Sequence, residues 1–295
     1  MRGARPARAI ESAVGQDGVI RQGERLAVAC SGGPDSVALA AILANLAPRM
    51  ELSLLLLHVN HGLRDSSWQD EAVVLRISTA LRIPVRIIGL SGLKSDEASL
   101  RNARYEALAQ AAADFQADAV VTGHNAEDQT ETLLLALFRG TGLEGLAGMP
   151  SRRSLAPAID LARPLLRWER AELRGYCHRA GLPYAIDPTN TDLRLRRNAV
   201  RAALVTLRTA FPGLDANAAR TAELIAGELE DGEKAALRRR VRGTLRAEHS
   251  LTDVDFAHVE SAVRALQKGG TGQFYMKDGV ELCIERGQLT VHRHE

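Results

Sequence analysis

The sequence predicts an α/β fold, in which a doubly wound parallel sheet precedes a smaller, mainly helical C-terminal domain that ends in a short β-meander. Short apolar runs alternate with segments of helical periodicity between residues 26 and 138, as in a parallel sheet with helices on both faces. A glycine-rich turn joins the first apolar run to the first long helix. After residue 212 the composition shifts to Ala, Glu and Arg. We therefore expect a larger domain over residues 1–212 and a smaller one over residues 213–295.

Hydrophobic periodicity predicts the elements of the larger domain. A short helical segment is expected at residues 9–14. Strands are predicted where apolar runs have strand length, at residues 26–30, 52–59, 83–88 and 119–122. Helices are predicted where apolar residues recur at helical spacing, at residues 37–43, 68–81, 97–113, 125–138 and 169–180. The segment around Arg152 and Arg153 is expected to be flexible.

The smaller domain shows a change from helical to alternating periodicity. Residues 215–248 and 253–267 carry helical patterns. Alternating runs at residues 272–276, 280–285 and 288–292, separated by Asp-Gly and Arg-Gly, predict the β-meander. The run of Arg238, Arg239 and Arg240 is equally compatible with an RNA contact and with a solvated helix face.

The turn that follows the first predicted strand carries the strongest local signal. It reads SGGPDS over residues 31–36. Its glycines let a ligand approach the backbone closely, and its hydroxyls and the amides at the helix start favour a bound phosphate. Such a turn taken alone is as often a plain connection. No Lys-Ser or Lys-Thr follows the glycines, which excludes a Walker A loop, and the spacing of a dinucleotide fingerprint is absent.

A second group of polar residues follows the strand predicted at residues 119–122. His124, Asp128 and Glu131 are spaced so that they project from one side of the next helix near its start. An acidic cluster there would complement the helix dipole and need have no other role. Beside a phosphate loop, however, a carboxylate that holds Mg²⁺ or an incoming amine, with an imidazole that meets developing phosphate charge, is the more economical interpretation. The spacing differs from the HExxH metalloprotease motif, because the second histidine is missing.

Other histidines and arginines carry weaker signals. His58 and His61 lie near the end of the second predicted strand, but the acidic partners and spacing of a zinc site are absent, so contact with a nucleotide is the better interpretation. Arg101 and Arg104 are neighbours on a helix surface, and such pairs usually serve only to solvate a helix face. The same two interpretations, a solvated face or a phosphate contact, apply to a cluster formed by Arg194, Arg196, Arg197 and Arg201.

Composition limits the class of protein. The formal net charge is only +2, yet four of the 38 basic residues are lysine and the others arginine, a bias that suits phosphate recognition. The three cysteines are far apart and form no Cys-x-x-Cys pair, which predicts a reduced cytoplasmic protein without a disulfide framework or a structural zinc site. No apolar run is long enough to span a membrane, so a soluble chain is expected.

Five blocks of sequence together resemble one enzyme family. They are SGGPDS, HVNHGLR, EASLRNARY, TGHNAEDQTETLLLALFRGTGLEGLAGM and the stretch RPLLRWERAELRGYCHRAGLPYAIDPTNTDLRLRRNAVR over residues 163–201. In order and approximate spacing they are similar to the tRNA(Ile)-lysidine synthases, which belong to the N-type ATP pyrophosphatases. The resemblance covers most of residues 25–201. It implies an adenine nucleotide α-hydrolase-like fold for the larger domain.

The resemblance also implies a reaction in two steps. ATP adenylates the C2 oxygen of the wobble cytidine in the CAU anticodon of tRNA(Ile), and free L-lysine then displaces AMP through its ε-amine to form lysidine. ATP and Mg²⁺ are the implied cofactors, and tRNA(Ile) and L-lysine the implied partners. The smaller domain, which resembles the family only loosely, would bind the tRNA substrate. A homodimer is compatible with the sequence, which gives no signal for or against it.

Residue roles follow from the positions that match the family. Asp35 would organise Mg²⁺ with the pyrophosphate, His124 would stabilise the α-phosphate, and Asp128 would position the metal or lysine. Glu131 is our hypothesis for the carboxylate that selects the charged end of lysine. The positions implied in ATP binding are Ser31, Gly32, Gly33, Pro34, Asp35, Ser36 and His61. Those implied in binding RNA phosphate or the activated nucleotide are Arg101, Arg104, Arg197, Asn198 and Arg201.

Two alternatives stay open at this point. A related ATP-dependent tRNA thiolase shares the loop, but typically works with paired cysteines or an iron–sulfur cluster, and the absence of Cys-x-x-Cys argues against it. A catalytically silent RNA-binding module is the other. The presence of Asp35, His124 and Asp128 argues against such a module, because packing alone does not require that set.

Overall fold

The larger part of the chain forms a six-stranded sheet with helices on both faces. The structure, a computed structural model, describes residues 7–60, 67–90, 97–185, 196–230, 232–248, 256–269, 271–275, 280–285 and 288–293. The chain divides into two compact units, Met1–Ala222 and Glu223–Glu295. The elements of the first unit are α1 (Ala7–Val14), β1 (Arg25–Ala29), α2 (Pro34–Met50), β2 (Ser53–Asn60), α3 (Ser67–Leu81), β3 (Val85–Gly89), α4 (Glu97–Asp114), β4 (Ala119–Val121), α5 (Ala126–Leu137), α6 (Leu143–Leu146), β5 (Arg152–Ala156), β6 (Ile159–Ala162), α7 (Arg170–Arg179), α8 (Arg196–Ala210) and the start of α9 (Leu214–Glu230).

The strand order of the sheet determines where a ligand can bind. The order is β3-β2-β1-β4-β6-β5, and every neighbouring pair is parallel except β5 with β6. From β1 the chain builds the sheet outwards through β2 and β3, then crosses to β4 on the other side of β1. In open α/β sheets the ligand crevice lies outside the carboxyl ends of the strands at such a switch point. The loop after β1 and the residues after β4 therefore lie at the same crevice, and the predicted doubly wound sheet is confirmed.

The core explains why the central strands appear as continuous apolar runs. Leu26, Ala27 and Val28 of β1 are fully buried, because helices cover both faces of the sheet. One apolar cluster gathers residues of α1, α2, α3 and α7 on one face, and a second gathers residues of α4 on the other. Helix α2, which starts at the loop, is buried along most of its length, so its start is held firmly at the crevice.

The β5–β6 hairpin is an element that sequence analysis missed. The segment around Arg152 was expected to be flexible, whereas it forms the antiparallel edge strand β5. Its stability comes from charge pairing instead of apolar periodicity: the Arg152 guanidinium lies 2.7 Å from a carboxylate oxygen of Glu24 and 2.7 Å from one of Asp160. Hydrophobic periodicity cannot reveal a polar edge strand of this kind.

The second unit packs two helices against a small sheet. It contains the end of α9, α10 (Gly232–Glu248), α11 (Phe256–Gln267), β7 (Gly272–Tyr275), β8 (Val280–Glu285) and β9 (Gln288–Arg293). The three strands form an antiparallel sheet in the order β7-β8-β9, which confirms the predicted β-meander. Val241, Val259 and Leu282 belong to its apolar core. The predicted domain boundary at residue 212 lies before α9, whereas the division between the units lies within it.

Arg238 corrects an expectation for this unit. Both interpretations of the arginine run required exposed side chains, but Arg238 is only 3% exposed. Its guanidinium is held by the carboxylates of Glu228 and Glu260, so it stabilises the packing of α10 against its neighbours. Arg239 is 68% exposed and keeps both interpretations. Among the described residues, no helix has the length and apolar character that a membrane span requires.

Candidate active site

The loop after β1 presents an uncapped helix start to the crevice. Gly33 is the N-cap of α2, no side chain caps it among the described residues, and Pro34 occupies the first turn. The Ser36 hydroxyl donates to the Gly33 carbonyl at 2.9 Å and lies 3.2 Å from both the Ser31 amide and the Ser31 hydroxyl. Ser36 therefore braces the loop from within, while Ser31 is exposed. Free amides at a helix start are the arrangement that binds phosphate.

Two glycines allow the loop to take this form. Gly32 has φ +86°, and a Cβ there would lie 3.3 Å from the Asp70 carbonyl oxygen. Gly123, which follows β4, packs against the loop so closely that a Cβ would lie 2.9 Å from the Asp35 carbonyl oxygen. A side chain at either position would displace the backbone. The sequence motif indicates Gly32, whereas the need for Gly123 appears only when β4 is placed beside β1.

Asp35 and Asp128 face the crevice together, and Arg170 lies between them. Asp35 Oδ2 accepts hydrogen bonds from Asn125 Nδ2 at 2.9 Å and from Arg170 Nε at 3.3 Å. Arg170 Nη2 lies 3.7 Å from Asp128 Oδ1. The Arg170 backbone amide also donates to the carboxylate of Glu127, so the starts of α5 and α7 are tied together. Sequence analysis gave Arg170 no role, although it lies in the block over residues 163–201, because its partner Asp35 is 135 residues away.

The Asp35 carboxylate has an unsatisfied oxygen. Burial raises the pKa of Asp35, Arg170 opposes that rise and the charge of Asp128 adds to it. Asp35 Oδ1 is buried and has no hydrogen-bond partner among the described residues. Such an oxygen suits a cation, and Mg²⁺ is commonly held by one or two carboxylates together with phosphates of the substrate. The described residues contain no group of three or more His, Cys, Asp or Glu side chains that could hold a metal by themselves, so phosphate ligands would be needed.

Asp128 combines a cap at the start of α5 with contacts to two arginines. It forms a capping box with Asn125, in which each side chain accepts from the backbone amide of the other at 3.1 Å. This contact uses Oδ2, whereas Oδ1 is directed towards Arg170 and Arg201. Asp128 can therefore cap α5 through one oxygen and serve as a site residue through the other.

His124 lies at the carboxyl end of β4 as a neutral imidazole. Its Nδ1 is 2.8 Å from the Thr122 hydroxyl. Burial lowers the pKa of His124 to about 3, and nearby arginines, chiefly Arg163 and Arg104, add to the effect. At neutral pH the ring is therefore a hydrogen-bonding group and not a fixed cation. Since Nδ1 is occupied by Thr122, Nε2 is the atom left for a substrate.

Glu131 is occupied by two of the predicted phosphate-binding arginines. It is fully buried, and its two oxygens accept from Arg197 Nε at 2.8 Å and from Arg201 Nε at 2.7 Å. The structure therefore brings Glu131, Arg197 and Arg201 together beside Asp128. A direct contact between Glu131 and lysine, which stays a prediction, would require displacement of an arginine. Asn198 is buried within α8, which removes it from the surface that an RNA could reach.

The remaining predicted residues divide between those near His124 and those elsewhere. Arg101 and Arg104 are near enough to act on the His124 ring. His58 is buried and its Nδ1 lies 2.9 Å from the Cys30 carbonyl oxygen, which links β2 to the end of β1, and its contact with a nucleotide stays a prediction. His61, predicted to bind ATP, lies outside the described residues.

Comparison with known proteins shows the family of the chain. A family model described as a PP-loop domain matches residues 5–207. The tRNA(Ile)-lysidine synthase of Salinispora tropica is 45% identical over 205 residues, which cover 68% of this chain and 61% of that protein. The enzyme of the same name from Salinispora arenicola is 45% identical over 207 residues, covering 68% and 62%. The chain thus spans about three fifths of the length of these relatives.

Among solved structures, a U34-tRNA thiolase of Methanococcus maripaludis matches with a TM-score of 0.62 and 19% identity. The match covers 75% of this chain and 78% of the thiolase. At this identity the likeness concerns the fold alone.

Proposed function

Because the chain belongs to the PP-loop domain family, which uses ATP, we propose that it catalyses the ATP-dependent formation of lysidine in tRNA(Ile). The wobble cytidine of the CAU anticodon would be adenylated at its C2 oxygen with release of pyrophosphate. Free L-lysine would then attack C2 through its ε-amine and release AMP. Since tRNA is the substrate, the proposal includes a cytoplasmic location, and nothing in it requires a homodimer.

One observation carries the proposal: the uncapped loop, Asp35 and Asp128 lie together at the switch point between β1 and β4, and His124 follows β4 at the same edge of the sheet. This combination supports cleavage of a nucleotide between its α- and β-phosphates, because the loop would bind the leaving pyrophosphate and His124 would face the α-phosphate. A module that only binds RNA has no physical need for a buried carboxylate oxygen such as Asp35 Oδ1, which has no partner among the described residues, beside a phosphate loop.

Each residue has a specific task in the proposed reaction. The amides at the start of α2 hold the departing pyrophosphate. His124, neutral and oriented by Thr122, offers Nε2 to the α-phosphate or to the cytidine oxygen that attacks it. Asp35 Oδ1 and Asp128 Oδ1 are the oxygens that would hold Mg²⁺, which when bound neutralises phosphate charge.

The second step needs a cationic nucleophile near the adenylated base. Asp128 Oδ1 lies 3.7 Å from Arg170 and 3.8 Å from Arg201, so the ammonium group of lysine would join these two cations around one carboxylate at the crevice. For attack the amine must lose a proton, and a carboxylate within reach can accept it. The smaller domain, which the sequence predicts over residues 213–295, would bind other parts of the tRNA.

The thiolase alternative receives no support from the cysteines of the larger unit. Cys30 and Cys177 lie close to the loop, but both are buried. Burial raises the pKa of Cys30 and raises that of Cys177 to about 12, so both are thiols at neutral pH. A sulfur nucleophile would need the opposite environment.

The proposal is tested by ATP–pyrophosphate exchange with and without a tRNA(Ile) transcript that bears CAU. We expect exchange only when the tRNA is present, and its loss in Asp35→Asn. Asp114→Asn is the matched control, because that carboxylate forms an exposed ion pair with Arg86. Exchange that is absent from the unmodified chain would favour the silent RNA-binding module.

A further inference from the structure

Arg163 is a buried cation with one guanidinium N–H, that of Nε, left without an acceptor among the described residues. It follows β6 and is only 3% exposed. Its Nη1 donates to the Pro150 carbonyl at 2.8 Å, but its Nε has no acceptor among the described residues. A buried guanidinium with an unsatisfied N–H is costly, so an acceptor from outside the chain is expected.

Tyr105 provides a second unsatisfied group at the same place. Its ring is 9% exposed and its buried hydroxyl has no hydrogen-bond partner within the part of the chain that the structure describes. The hydroxyl is close enough to act on the Arg163 guanidinium both through its charge and as a hydrogen-bonding group. A ligand with acceptor oxygens between the Arg163 Nε–H and the Tyr105 O–H would accept from both.

The surrounding charge shows what kind of ligand fits. The guanidinium carbons of Arg101 and Arg104 lie 5.2 Å and 5.4 Å from the centre of the Tyr105 ring. Arg101 and Arg153 are both near enough to repel the charge of Arg163. Cations gathered around a buried cation require an anion, and arginine forks suit the oxygens of a phosphate.

Strand register places this group beside the candidate active site. Val121 of β4 pairs with Ala162 of β6, so Arg163 follows its strand at the level of Thr122. His124 comes two residues later on the β4 side, and Arg163, Arg104 and Arg101 all act on its ring. All of these residues belong to the first unit.

We propose that Arg163 and Tyr105 form the floor, and Arg101 and Arg104 the rim, of a phosphate-binding subsite beside His124. The subsite rests on the proposed function, since it would hold a phosphate of the RNA that carries the target cytidine. The phosphate loop follows β1, and β4 separates β1 from β6. Two strand spacings amount to about 10 Å, so the β- and γ-phosphates of an ATP held at the loop lie away from this subsite. A phosphodiester that flanks the target nucleotide is the ligand that fits.

The test measures binding separately from catalysis. Two dissociation constants are measured for Arg163→Gln: that of the tRNA(Ile) transcript over a range of salt concentrations, and that of ATP in the absence of RNA. Arg86→Gln, which removes one positive charge from the surface, is the control. We expect Arg163→Gln to weaken tRNA binding about tenfold or more. The slope of log K against log salt should fall in magnitude by about 0.7–0.9, as for the loss of one phosphate contact, with ATP affinity unchanged.

Further variants keep the proposal testable if Arg163→Gln does not fold. Tyr105→Phe removes only the hydroxyl and should weaken tRNA binding, and Arg101→Gln with Arg104→Gln should lower the salt slope. Wild-type tRNA affinity and salt slope in folded variants would overturn the proposal. A loss of ATP affinity with unchanged tRNA binding would also overturn it, by assigning the subsite to ATP. Because binding requires no lysine transfer, a chain that fails to make lysidine can still pass this test.

Discussion

Replacing Glu131 by Gln should destabilise the chain strongly, because this buried carboxylate pairs with two arginines. The Glu131 side chain is 1% exposed, and its partners Arg197 and Arg201 are 22% and 30% exposed. Removal of one partner from a buried ion pair costs about 3–5 kcal/mol. Gln keeps one acceptor, and the arginines are partly hydrated, so we expect about 3 kcal/mol, the lower end of that range.

The measurement is the free energy of unfolding in urea, followed by circular dichroism. Glu106→Gln, on the exposed side of α4, is the control and should change the free energy by less than about 0.5 kcal/mol. If Glu131→Gln unfolds with the same free energy as the unchanged chain, the two short ion pairs do not stabilise the packing of α8 on α5. That result would refute the reasoning.

The same variant separates two roles for Glu131. If the carboxylate selects lysine, as the sequence predicts, the KM for lysine should rise far more than that for ATP. If it orients Arg197 and Arg201 towards RNA, the affinity for tRNA should fall while the KM for lysine stays constant. The ion pairs favour the second result, because both carboxylate oxygens are already occupied.

Three further variants or titrations follow from the geometry. Gly123→Ala should raise the dissociation constant of ATP at least tenfold, since its Cβ would lie 2.9 Å from the Asp35 carbonyl oxygen. Gly142→Ala should leave the constant unchanged, because no other atom lies near a Cβ at that position. Equal dissociation constants for the two variants would contradict the close packing of β4 on the loop. An NMR titration of the substrate-free protein should show no protonation of His124 between pH 5 and 8, because its pKa is about 3. The contribution of this histidine to the free energy of unfolding should be complete above about pH 6.5, the ordinary pKa of histidine, and decline as the pH falls towards 3. A titration midpoint near 6.5 would contradict this. Arg238→Gln should lower the free energy of unfolding of the second unit by about 3 kcal/mol, because its guanidinium is buried between two glutamates, whereas Arg239→Gln should have little effect; equal small effects would refute the buried pairing.

The sequence was sufficient where function and fold depend on local pattern. The central strands are buried on both faces and therefore appear as apolar runs, and the loop at residues 31–36 is a contiguous motif. The placement of His124 and Asp128 opposite that loop follows from the rule that parallel strands end at one edge. These features could be predicted before any coordinates were known.

The features that were missed depend on contacts between distant parts of the chain. Arg170 reaches Asp35 across 135 residues, and β5 is held by ion pairs that have no periodic signature. Burial is the other missing quantity. Arg163 and Arg238 look like any other arginines in the sequence, but their burial gives one an unsatisfied donor and the other a structural role.

The most direct test of the central claim is the transfer of radiolabelled lysine to purified tRNA(Ile) bearing CAU, in the presence of ATP and Mg²⁺. A tRNA(Met) that also bears CAU and the Asp35→Asn variant are measured beside it. We predict label in tRNA(Ile) alone, and none with Asp35→Asn. Release of AMP that depends on tRNA without any incorporation of lysine would contradict the claim, because a nucleophile other than lysine would then complete the reaction.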